Sequence, residues 1–178
     1  ISILDFAREK RYDSHSNNRM PNEGGINKFK YPDDPFTFAQ TGNNVTLTRD
    51  TGNRSYVTRG DRGGGGSLKM VCSGTDSYWS SYGNTGAHDC GSASNNDRWV
   101  FSVYAKASVA LVGQLFLFEA PSSGNYTAFT NAYISITTDW QRFSVARQLD
   151  QASTGTVKIR VDGPQASSTE TIWWDGFQ

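Results

Sequence analysis

"TVKIRVDG", residues 156–163, sets Val157, Ile159 and Val161 against Lys158, Arg160 and Asp162 without a break. Successive side chains leave a pleated strand on opposite faces, so strict two-residue alternation marks a strand with one buried and one open side. The same pattern recurs outward from this stretch. "NVTLTRD" (44–50) sets Val45 and Leu47 against Thr46 and Thr48, and "SLKMVC" (67–72) puts Leu68, Met70 and Cys72 in phase. "RWVFSVYAKAS" (98–108) aligns Trp99, Phe101, Val103 and Ala105 opposite Ser102, Tyr104 and Lys106. "GQLFLFEA" (113–120) opposes Leu115 and Leu117 to Gln114, Phe116 and Phe118. "YISITTDWQRFSVARQL" (133–149) holds two strands, with Ile134 and Ile136 and then Phe143 and Val145 in phase. Helical periodicity is absent. About eight short alternating strands separated by turn residues predict an all-β, two-sheet antiparallel β-sandwich, with each strand burying one face between the sheets.

The totals agree. The chain has 178 residues, enough for a single domain with a substantial core. Lys+Arg and Asp+Glu are 17 each. That balance argues against a nucleic-acid binder, which normally carries a basic excess. No apolar run is long enough to insert in a membrane. The opening "ISILDFAREKRYDSHS" lacks the basic-then-apolar plan of a signal peptide. "ISILDF" reads as a first strand, residues 8–63 as an irregular segment, and 73–97 as a long loop. One domain over 1–178 is expected, cut from a longer polypeptide.

Chemistry-bearing residues are sparse. Cys72 and Cys90 frame a Gly/Ser/Asn-rich stretch, and either a disulfide or two free thiols suits that spacing. His15 and His88 have no serine-nucleophile elbow nearby, and the usual zinc-ligand spacings are missing. Carboxylates stand singly, whereas a retaining glycosidase needs two held about 5 Å apart. "RGDRGGGGS" (59–67) fails as a phosphate-binding loop, because neither Lys-Ser/Thr nor a helix follows it. The reading is therefore not an enzyme.

The aromatics carry the signal. A core absorbs Phe101 and Phe143, but Tyr104 and Phe116 are out of phase on their strands, and Tyr78, Trp79 and Tyr82 lie in a Ser/Gly-rich loop. Rings exposed on a rigid sheet stack on the C–H face of a sugar, while amide and guanidinium groups bind its hydroxyls. The candidate carbohydrate-binding residues are Tyr78, Trp79, Tyr82, Tyr104, Gln114, Phe116, Arg142 and Arg160. Lys106, Arg142, Lys158 and Arg160 are all out of phase and basic. If they share a face, acidic glycans are favoured.

The motifs "GGGSLKMV" (64–71), "WVFSVYAKAS" (99–108), "ISITTDWQRFSV" (134–145), "VKIRVDG" (157–163) and "TIWWDGFQ" (171–178) follow in order. Together they resemble the jelly-roll carbohydrate-binding modules of the family 4/9/16/22 type and related modules of phage tail and virion proteins. The resemblance covers residues 64–178, with "ILDF" similar to the family's opening strand. It implies a concave polysaccharide-binding face, no catalysis, covalently linked parent domains, and an extracellular or virion-surface setting. It also implies one structural calcium between the first and last strands, where Asp175 matches the last-strand aspartate. The family's opening glutamate is Ala7 here, and Asp5 would have to substitute. A virion module contacting another protein is the alternative function. Trp173 and Trp174 are adjacent on one strand, so one faces the core and the other does not.

Overall fold

A computed structural model describes residues 41–55, 66–80, 93–120, 128–150 and 155–178. Asp5, Tyr82, Cys90, both histidines and the "ISILDF" strand lie outside the described residues. Ten strands are present among the described residues: β1 (Thr41–Asn43), β2 (Val45–Asp50), β3 (Ser67–Cys72), β4 (Tyr78–Ser80), β5 (Arg98–Ala107), β6 (Leu111–Ala120), β7 (Ala128–Ile136), β8 (Gln141–Gln148), β9 (Thr156–Asp162) and β10 (Thr171–Asp175). They form two five-stranded sheets, β1-β4-β9-β6-β7 and β2-β3-β10-β5-β8, and every pairing is antiparallel. The chain is thus an all-β sandwich, as the alternation predicts. Two short strands were not expected: β1 falls in the irregular 8–63 segment, and β4 in the loop between Ser73 and Asp97.

The core sits between the sheets. Leu115, Leu117, Val157, Ile159, Val161 and Trp79 come from one sheet, facing Leu68, Met70, Phe101, Val103, Ile172 and Trp174 of the other. Phe177 closes it, edge-on to Trp79 at 5.2 Å and stacked on Phe101 at 6.2 Å. It reaches the interior because Gly176 adopts φ 59°, a left-handed conformation that breaks the alternation after Asp175. Gln178 then continues the pairing, exchanging two 2.9 Å backbone hydrogen bonds with Ser102. Trp174 is the core tryptophan of the adjacent pair, and Trp173 points outward from the sheet.

One polar pair bridges the layers. Glu119 follows Leu115 and Leu117 in phase and is fully buried. Arg147 of β8, in the opposite sheet, donates Nε–H to it, and the Asp150 backbone N–H is within 3.3 Å of both its oxygens. Cys72 is also buried and carries a free thiol, so the disulfide reading is not met. Burial pushes that thiol's pKa up.

Candidate functional site

The outer face of β1-β4-β9-β6-β7 collects four of the eight predicted binding residues. Its register fixes side chains in rows across the strands. Tyr78, Asp162, Gln114 and Tyr133 are consecutive partners on β4, β9, β6 and β7. In the next row Arg160 faces Phe116, which faces Asn131, and beyond it Lys158, Phe118 and Phe129 align. Adjacent strands lie about 4.8 Å apart, which separates Tyr78 from Tyr133 by about 14 Å across three strand spacings. All these side chains point away from the core because Trp79, Val161, Leu115 and Ala132 occupy the alternate positions.

Rings dominate the β6–β7 side of this face. Phe116 and Phe118 stack with centroids 5.5 Å apart and planes 2° apart. Phe129 tilts against both, at 5.8 and 5.6 Å. Offset pairs in this range add about 0.5–1.5 kcal/mol each beyond the area they bury. Tyr133, at 69% exposure, and Phe129, at 47%, are the most accessible large rings among the described residues.

At the centre of the face, on β9, Arg160 ties the platform together. Its guanidinium lies 3.8 Å from the Tyr78 ring centroid and 5.1 Å from that of Phe116, on the strands flanking its own. Nε and Nη2 donate to Oδ1 and Oδ2 of Asp162, both at 2.5 Å. A guanidinium suits this position because its planar fork fits a carboxylate while its faces contact rings. Burial is the largest influence on the Asp162 carboxyl and raises its pKa. The Arg160 hydrogen bonds and charge pull the other way, and the exposed Asp76 adds a further upward push.

The predicted residues divide between two faces. Tyr78, Gln114, Phe116 and Arg160 share this one, although Gln114 is only 4% exposed. Tyr104 and Arg142 do not, for they pair with each other on β5 and β8 of the opposite sheet. There the Arg142 guanidinium lies 5.7 Å from the Tyr104 ring and donates to Gln178 Oε1. Lys106 belongs to that second face too, so the four basic residues split two and two and their shared-face condition is not met. Trp79 is a correction. Its indole is fully buried in the core, because Tyr78 and not Trp79 is in register with outward-facing Asp162. A surface site cannot use it.

Sequence reasoning missed Phe129 and Tyr133. The signal was present, since both are out of phase with Ile134 and Ile136 in "AFTNAYISI".

The second face is folded over by its own chain. Trp173 lies between Lys106 and Lys69, whose ammonium groups are 5.1 and 5.9 Å from its ring, and its Nε1–H donates to Asp50 at 2.8 Å. Lys106 donates to Asn53, and the Ser55 backbone N–H donates to Asp175 Oδ2 at 2.7 Å. Asp175 Oδ1 accepts from the Gly176 N–H at 2.8 Å. Each oxygen of the expected calcium ligand thus takes a backbone donor. Among the described residues, no three His, Cys, Asp or Glu side chains come together as a metal group. Asp5, the other ligand expected for the calcium, lies outside the described residues.

No family model and no curated protein matches this sequence. Solved structures do. The chain is similar to the CBM22-2 xylan-binding domain from Paenibacillus barcinonensis Xyn10C, with TM-score 0.56 and 12% identity over 84% of this chain and 95% of that one. The CBM22-1 xylan-binding domain of the same protein gives 0.54 and 15%, over 84% and 89%. The enzymatically active domain of tailspike protein 4 from bacteriophage CBA120 gives 0.56 and 12%, covering 78% of this chain but 18% of that one. At these identities the likeness concerns architecture: the chain has the jelly-roll sandwich fold of the carbohydrate-binding modules.

Proposed function

We propose that the chain is a non-catalytic carbohydrate-binding module that holds a polysaccharide on the outer face of β1-β4-β9-β6-β7. One observation carries this reading: Tyr78, Phe116, Phe129 and Tyr133 stand on a single hydrogen-bonded face, with Gln114, Asn131 and Arg160 among them. Rings there can stack on pyranose C–H faces while the amides meet hydroxyls. The architecture shared with two xylan-binding domains supports it. The xylan-binding domains of like architecture also support the non-catalytic part. The module would work outside the cell or on a virion surface, attached to other domains. Among the described residues, no helix is long and apolar enough to cross a membrane.

Affinity electrophoresis against a panel of neutral and uronate-bearing polysaccharides tests the assignment. Phe116→Ala and Tyr133→Ala should each weaken binding about tenfold, equivalent to about 1.4 kcal/mol. Tyr104→Ala, on the opposite face, should leave it unchanged. Undiminished binding by both face variants would refute the site. The tailspike likeness favours a second reading, in which the same rings meet another protein chain. A panel on which no polysaccharide is retarded would favour that reading.

A further inference from the structure

We infer that Asp162 is a specificity-determining residue, which sets the platform's preference for neutral over acidic glycans by pinning and neutralising Arg160. The inference rests on the glycan-binding reading above. Arg160 is a cation at the centre of the face, with its side chain 26% exposed and in contact with both Tyr78 and Phe116. An arginine so placed would ordinarily attract a uronate carboxylate bidentately. Here the fork is already filled, because Nε and Nη2 both donate to Asp162, whose carboxylate is fully buried.

The remaining charges of this face complete the balance. Lys158 stands one row further along β9, and Asp76, in the turn before β4, is close enough to act on Asp162. Among the described residues of this face, two cations therefore meet two anions. Between Tyr78 and Phe116, an approaching sugar meets a guanidinium whose charge is already matched from the adjacent row. The partly exposed rings of Tyr78 and Phe116 still present apolar surface to the sugar, and an acidic group gains no net attraction. The arrangement also explains why a buried carboxylate is present on an outward-facing position at all. Without a partner, it would be costly to keep out of water.

The test compares wild type with Asp162→Asn, which keeps the shape and removes the charge. Affinities are measured for a neutral xylan and for polygalacturonate across a salt series. Wild type should prefer xylan, with an affinity that salt does not change. In Asp162→Asn the ratio of polygalacturonate to xylan affinity should rise about tenfold at low salt and fall back as salt screens the uncovered cation. Lys69→Gln, on the opposite face, should leave the ratio where it was.

A wild type that binds glycans but prefers polygalacturonate would overturn the inference and leave the proposed function standing. So would a folded Asp162→Asn whose ratio does not move. Failure of wild type to bind any glycan would instead remove the proposed function, and this inference with it. The wild-type salt series decides the matter alone if the variant does not fold.

Discussion

Trp79 and Tyr133 show how two aromatic residues of the same sandwich come to opposite uses. Trp79 is sealed against Phe177, so truncation removes a large ring from a close-packed interior. Trp79→Ala should cost about 3–5 kcal/mol in urea unfolding. Tyr133 stands in solvent, and Tyr133→Ala should shift stability by no more than about 0.5 kcal/mol. Comparable losses for the two would mean that their environments have been misassigned. Nothing in the loop composition around Trp79 announced its burial. A three-residue strand is too short for a period to show, and Ser77, Tyr78 and Ser80 around it read as surface. For Phe129 and Tyr133 the period was there, but Ile134 and Ile136 drew attention to the buried half of the strand.

Strands carry the next level of argument. Alternation told which residues of β5, β6, β8 and β9 face outward, because that follows from backbone pleating alone. It could not tell which of two outer faces each would join. That depends on strand order, and the β3-β10-β5 and β4-β9-β6 neighbourhoods bring together segments far apart in sequence. Arg142 and Arg160 therefore looked equivalent and are not. The segment after β2 illustrates the same point, since its anchor on β10 is non-local. Asp50 has its pKa lowered: burial pushes it up, but hydrogen bonds from the Asn53 side chain, the Trp173 indole and the backbone N–H groups of Asn53 and Gly52 outweigh this. A lowered folded-state pKa gives stability that is fully present above the ordinary value of 3.8 and is lost as pH falls through the lowered one. The gap in melting temperature between wild type and Asp50→Asn should be constant near neutrality and close below about pH 4. A gap independent of pH would show that the carboxylate charge plays no part.

For the whole molecule, the Glu119–Arg147 pair matters most among the described polar contacts, because it joins strands of different sheets through the interior. Removing one member leaves the other poorly solvated. Glu119→Ala should cost about 3–5 kcal/mol, and replacing both residues by leucine should recover most of that loss. Equilibrium unfolding measures both, and a loss under about 1 kcal/mol for the single variant would show that the sheets do not depend on this brace. The pairing was not readable beforehand, since Glu119 continues the buried phase of Leu115 and Leu117 where an apolar residue is expected.

The row from Tyr78 to Tyr133 has a kinetic and entropic corollary. Its members ride on four strands bonded to one another and seated on a filled interior, so their positions are settled before any partner arrives. Little reorganisation would accompany association, and the main ordering loss would fall on the incoming polymer. Stiff, ribbon-like chains lose least freedom on docking and would be retained in preference to supple ones of the same chemical make-up.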